Sequence, residues 1–248
     1  MSLLTVEALT VRATDETKLL DGVSLAVTPE ESVLLAGPSG SGKTLLGRAV
    51  AGLLSGASTV TVDGEVSRDG SVGMCFQDPR TQLVRGRVRA DVAFGLENRG
   101  VEPPEIHRRI ADWADRLDVT HLLDREIAAL SRGETTLVAL LGTLVTEPDL
   151  VVLDEPLAAL DARNRRLVLD AIEELHGERA LLIAEHDATA LLELADRAIL
   201  LEDGKIGASG APRTVVGSLE EAGVEIPFAT AVALARGEPA ESVPLSGG

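Results

Sequence analysis

The stretch Gly37-Pro38-Ser39-Gly40-Ser41-Gly42-Lys43-Thr44 follows the apolar run Val33-Leu34-Leu35-Ala36 and opens an apolar helical pattern from Leu45 to Leu54. A strand, a glycine-rich turn ending in Lys-Thr and a helix constrain the chain to an α/β fold with a phosphate site at a strand's C-terminal end. Glycines at 37, 40 and 42 let the backbone curl so that successive N–H groups, from Ser39 onward, converge on a polyphosphate, and the helix adds the positive end of its dipole. Lys43 supplies a mobile cation and Thr44 a hydroxyl for Mg²⁺. The alternative is a plain glycine-rich turn, but with only three lysines in the chain, composition alone rarely produces this pattern.

Two further apolar runs end in chemistry. Leu150-Val151-Val152-Leu153-Asp154-Glu155 reads as a strand buried on both faces that delivers two carboxylates to the edge where ligands of open α/β sheets collect. There Asp154 can hold the Mg²⁺ hydration shell, and Glu155 can face the γ-phosphate and polarise a water. Ala180-Leu181-Leu182-Ile183-Ala184 leads into Glu185-His186-Asp187, so His186 sits where an imidazole can hydrogen-bond the γ-phosphate or the attacking water. His107, His121 and His176 lie in charged helical stretches without partners at metal spacing and read as surface residues.

In the order of these elements the chain resembles the ATP-binding-cassette ATPases of membrane transporters, from about Leu3 to Arg236. Asp154, Glu155 and His186 match that family's Walker B aspartate, catalytic glutamate and switch histidine. The resemblance implies further that Gln77, in Val72-Gly73-Met74-Cys75-Phe76-Gln77-Asp78-Pro79, contacts Mg²⁺ and the water and senses the membrane partner. It implies that Leu130-Ser131-Arg132-Gly133-Glu134 is the signature, with Ser131 and Gly133 at nucleotide, and that Ala158-Ala159-Leu160-Asp161 is the D-loop, with Asp161 beside the site. In the family two cassettes sandwich two ATP molecules, each between one chain's phosphate loop and the other's signature. The run Phe76-Gln77-Asp78-Pro79-Arg80-Thr81-Gln82-Leu83 and the tail Glu221 to Thr230 are similar to the energy-coupling-factor importers of cobalt, nickel and vitamins.

Three departures stand out. The family's adenine-stacking aromatic is replaced by Ala13 or Arg12, in a chain with no tyrosine, and Arg12 offers a guanidinium plane instead. Arg132 stands for a signature glycine and Glu134 for the usual glutamine. With a different partner chain the two ATP sites would be unequal; a symmetric homodimer is the other arrangement.

The chain of 248 residues carries a formal charge of −17, with 20 arginines but three lysines. Nucleic acid is a poor partner for such a surface, whereas high salt screens its self-repulsion, so a salt-adapted source is expected. One cysteine, Cys75, precludes an internal disulfide. No apolar run approaches the ~18 residues of a membrane span, and the N-terminus lacks a secretory pattern. A cytoplasmic protein is expected, peripheral on the inner face of the cell membrane through its partners.

The expected fold is α/β, a P-loop NTPase with a RecA-like core and an antiparallel β subdomain, plus an inserted α-helical subdomain. Its pieces are residues 1–78, β subdomain and first half of the core; 79–147, the helical signature insertion; 148–211, the resumed parallel core; and 212–248, a C-terminal extension with a flexible end around Gly237 to Ser242. Turns are expected at Asp63-Gly64 and Asp69-Gly70, and an amphipathic helix from Glu105 to Leu117. The expected activity is ATP hydrolysis with Mg²⁺, powering uptake of a vitamin or transition-metal ion. Expected partners are a transmembrane permease, a second cassette (identical or not) and a possible substrate-binding membrane subunit. The alternatives are another transporter type, or a weakly hydrolysing regulatory or mechanical cassette without a permease.

Overall fold

The computed structural model describes residues 2–54, 59–158, 160–239 and 242–246. In chain order these form β1 (Leu4–Ala13), β2 (Lys18–Val27), β3 (Ser32–Ala36), α1 (Lys43–Val50), β4 (Val60–Arg68), β5 (Val72–Cys75), α2 (Val88–Asn98), α3 (Pro103–Arg116), α4 (Arg132–Leu144), β6 (Leu150–Asp154), α5 (Ala162–Leu175), β7 (Ala180–Glu185), β8 (Arg197–Glu202), β9 (Lys205–Gly210), α6 (Pro212–Glu221) and α7 (Phe228–Ala235).

Every residue of β3, β6 and β7 is buried, as near-continuous apolar runs require of strands covered on both faces. They form the middle of a six-stranded sheet ordered β5-β6-β7-β3-β8-β9. Side chains alternate across it with period two. Val33, Leu35, Val152 and Leu182 pack with α1 and with Leu4, Val6 and Leu9 of β1, while Leu34, Ala36, Leu153 and Ile183 pack on the other face with Trp113 and Leu140. The first of these layers is closed by a three-stranded antiparallel sheet, β2-β1-β4.

The central sheet is parallel through β8, but β9 turns back antiparallel on it, so the parallel run expected to continue to about Ala211 stops at Glu202. Asp63-Gly64 is not a turn. β4 runs through it, and the register of β1 slips between Glu7 and Thr10, where Ala8 (φ 47°) lies opposite Gly64 (φ 95°). A Cβ on Gly64 would stand 2.7 Å from the carbonyl oxygens of Glu7 and Ala8, so the glycine accommodates a bulge that twists the ribbon.

Between β5 and β6 the chain is helical. α3 begins at Pro103, two residues before the expected start, because proline suits the first helical turn, and it buries Ile106, Ile110, Trp113 and Ala114 on one face. Among the described residues no helix is long and apolar enough to cross a membrane. At the C-terminus Val243 is buried, and its carbonyl accepts a hydrogen bond from Arg213. Of the stretch expected to be flexible, Ala240 and Glu241 lie outside the described residues.

Candidate nucleotide-binding and hydrolysis site

Strand register gathers the site. Ala36 lies opposite Glu185, and Asp154 opposite Ala184, so the segments leaving β3, β6 and β7 emerge at one edge of the sheet. Gly42, at φ 105°, forms the N-cap of α1 in a conformation costly for other residues, and no side chain caps the helix. Its first N–H groups are therefore open to an anion. Ser39, Gly40, Lys43 and Thr44 line a cavity of about 600 Å³ together with Gln77 and Glu155.

Lys43 is only 4% exposed, and its Nζ donates to the carbonyls of Gly37 at 2.8 Å and Pro38 at 3.0 Å. Burial lowers its pKa, opposed by the negative charges of Glu155, Asp154 and Glu185. The hydroxyl of Thr44 donates to Asp154 Oδ1 at 3.0 Å. Burial raises the Asp154 carboxyl, partly offset by this hydrogen bond. The Ser41 hydroxyl is buried without a partner among the described residues.

Glu155 occupies the left-handed region at φ 47°, its N–H held by the Ala184 carbonyl at 2.9 Å. For a non-glycine residue this conformation costs about 1–2 kcal/mol, a strain typical of residues that need a particular aim. Its side chain meets two of the predicted partners. Gln77 Nε2 donates to Glu155 Oε2 at 2.7 Å, and His186 Nδ1 stands 3.5 Å from Oε1.

Ser131, Gly133 and Asp161 lie elsewhere. Ser131 caps α4 in a capping box: its hydroxyl accepts from the Glu134 N–H at 3.3 Å, and Glu134 Oε2 accepts from the Ser131 N–H at 2.7 Å. Glu134 also binds Arg125 at 2.7 Å, so the acid standing for glutamine is built into the helix start. Asp161 caps α5 through the Asn164 N–H at 2.8 Å. Ser131 and Asp161 line a common cavity with Asn164, apart from the phosphate loop. Gly133 is buried against Asn164, where a Cβ would sit 2.3 Å from Nδ2. Ala159 of the D-loop stretch lies outside the described residues. Arg132 is exposed and lines a cavity with Gln77, Asp78 and Arg80.

The chain also matches known proteins. The sequence model of the ABC transporter family covers residues 20–158. The chain belongs to the ABC transporter family. It is a cassette ATPase that binds ATP and couples its hydrolysis to transport. An ABC transporter ATP-binding protein of Halobacterium salinarum is 42% identical over 86% of this chain and 95% of its own. The energy-coupling factor transporter ATP-binding protein EcfA of Pediococcus pentosaceus is 35% identical over 85% of this chain and 80% of its own. Among solved structures, cbiO1 of Clostridium perfringens, part of the ABC transporter complex cbiONQ, superposes with a TM-score of 0.76 at 29% identity, covering 89% of this chain and 92% of that one. The cassette's α/β fold is that of these P-loop ATPases.

Arg12 lies 3.9 Å from Asp63 across the β1–β4 ribbon and pairs with Lys18 of β2, which lines the nucleotide cavity together with Leu19. His176 lies at the surface, as expected, with its Nδ1 3.0 Å from the Ser32 hydroxyl. Sequence reasoning gave no structural role to two residues. Gln82 accepts from the Phe76 N–H at 3.2 Å and donates to Thr143 at 3.0 Å, bracing the Gln77 segment against α4. Glu185, 1% exposed, was hidden as the last residue of an apolar strand, and only its adjacency to His186 hinted at it.

Proposed function

We propose that this cassette powers uptake of a small solute, a vitamin or a transition-metal ion such as cobalt or nickel, through a separate membrane permease. The names of EcfA and of cbiO1 within cbiONQ support an importer of that group. The observation that carries the hydrolytic reading is the convergence of Gln77 and His186 on the strained Glu155, one residue beyond an Asp154 bound to Thr44.

In this reading the triphosphate lies along Gly37 to Thr44, with N–H groups of the loop and of α1 turned to it. Lys43 exchanges its loop carbonyls for phosphate oxygens, a switch helped by neighbouring acids that keep it charged. The residues fit Mg²⁺. Thr44 and Asp154 offer two hard oxygens 3.0 Å apart, and among the described residues no group of three or more His, Cys, Asp or Glu forms a metal cage. That ligand poverty suits an ion that keeps waters and takes phosphate oxygens. Thr44, Asp154 and Gln77 would hold it, and it would neutralise charge on the β- and γ-phosphates. Glu155 accepts the proton of the attacking water, Gln77 orients that carboxylate and the water, and His186 donates to the γ-phosphate.

The signature side of each site comes from a second cassette, in which Ser131, Gly133 and Asp161 approach the partner's nucleotide. Arg132 favours a non-identical partner, which would leave the two sites unequal. ATP closes the pair and hydrolysis reopens it, at the inner face of the membrane beneath the permease and any solute-binding subunit.

Glu155→Gln tests the hydrolytic part. General-base catalysis contributes about 10²- to 10⁴-fold in rate, so ATP binding should persist while turnover falls by that factor. Turnover at the wild-type rate would refute the role given to Glu155.

A further inference from the structure

Glu185 has no part in the reaction as described, yet its carboxyl is buried at the hydrolytic edge of the sheet. Oε1 accepts the N–H of Leu157, two residues beyond the general base, at 3.0 Å. Oε2 stands 3.6 Å from His186 Nδ1. That nitrogen is buried and lacks a hydrogen-bond partner, although the ring is 42% exposed, so Nδ1 faces inward and the opposite edge, carrying Nε2, faces out. Among the described residues two carboxyl oxygens stand near Nδ1: Oε2 of Glu185 and, at 3.5 Å, Oε1 of Glu155.

The proton count then decides how the ring is held. To donate to a γ-phosphate, His186 needs its proton on Nε2, which in the neutral ring leaves Nδ1 bare and in need of a donor. Glu155 cannot supply one, since a general base is ionised and its Oε2 accepts from Gln77. Glu185 can. Its Oε1 is committed as an acceptor to Leu157, so a proton on this carboxyl belongs on Oε2, the oxygen facing Nδ1.

We propose that Glu185 is a positioning residue for ATP hydrolysis: as a neutral acid it donates Oε2–H to His186 Nδ1, fixing the Nε2–H tautomer, while its Oε1 anchors the chain leaving Glu155. A modest rotation of either side chain closes the 3.6 Å gap to hydrogen-bond length. The charged groups facing Glu185 are Glu155 beyond β6, Lys43 of α1 and His186 itself. Burial, with the Glu155 charge, pushes its carboxyl up to about 7, against the opposing Leu157 and His186 contributions, so the neutral form is accessible near neutrality. Glutamine is nearly isosteric with the neutral acid, offering C=O to Leu157 and N–H to Nδ1.

The inference rests on the role given to His186, and the experiment separates the two. ATP turnover of the hydrolysing assembly is measured for the wild type, Glu185→Gln, Glu185→Ala and His186→Ala. Partners that orient metal-ligating histidines contribute about 10- to 100-fold, and by the same logic Glu185→Ala should lower kcat by about that factor with little change in KM for ATP, while Glu185→Gln should restore it to within about threefold. Histidine ¹⁵N NMR of the full chain, assigned with His186→Ala, should show a bare Nδ1 and protonated Nε2 in both the wild type and Glu185→Gln. A doubly protonated or Nδ1–H ring in the wild type overturns the proposal even if Glu185→Ala fails to fold, as does a glutamine variant as slow as the alanine one. Full turnover in His186→Ala would instead remove the reading of His186 on which it stands.

Discussion

Individual side chains at the sheet edge are held in arrangements that a soluble surface would not retain. Glu155 keeps a left-handed backbone, Lys43 gives its ammonium to two carbonyls, and Glu185 is a buried acid. The last has a thermodynamic consequence. Its folded value of about 7 lies above the ordinary 4.5, so the fold favours its protonated form. That contribution is fully present below about 4.5 and fades as pH rises through about 7. The thermal midpoint of Glu185→Gln should therefore gain on the wild type between pH 5 and pH 8; a constant difference would contradict a raised Glu185. Phosphate loop, Asp154, Glu155 and His186 were legible because each follows an apolar run that can only be a buried strand. Glu185 was not, because a carboxylate closing such a run looks like the start of a solvated loop. Nor could spacing alone place Arg12, since its partner Asp63 is set by a ribbon register that a bulge shifts.

At the scale of elements, the start of α4 is packed onto the start of α5. Ser131 and Glu134 close the capping box, while the buried Gly133 lets Asn164 of α5 approach and hold Asp161 Oδ2 at 2.8 Å. Gly133→Ala would drive a methyl into Asn164, and overpacking of this kind costs about 1–3 kcal/mol. The variant should unfold at lower temperature, and Asn164→Ala in the same chain should recover most of the loss. Equal losses with and without Asn164 would show that the two helix starts are not coupled there. The helices themselves were readable from caps and periodicity, α3 most clearly through Pro103 and its apolar face. The capping role of Glu134 was obscured by reading the segment as a departure from a signature rather than as Ser-x-x-Glu. The bulge at Gly64 was taken for a turn because Asp-Gly has the same local chemistry in both settings.

As a whole molecule the cassette combines two packed sheets around a nucleotide edge with a strongly acidic surface. A charge of −17 opposes compaction at low ionic strength, while at 1 M salt the screening length falls to about 3 Å. That charge suits the cassette to high salt. Its thermal midpoint should rise steadily as KCl is raised to molar levels, and a flat or falling midpoint would refute salt adaptation. The order of the core elements, and with it the fold class, was legible, though not the antiparallel return of β9; the identity of the solute was not, because no residue of this chain need touch it. The central claim, that the nucleotide edge drives a membrane importer, is tested most directly by purifying the chain in high salt from detergent-solubilised membranes, expressed with its chromosomal neighbours, and measuring ATP turnover of what is recovered. The account predicts a multi-span membrane protein and a second cassette in the complex, with turnover abolished by Glu155→Gln; recovery only as a self-dimer without membrane partners would contradict it.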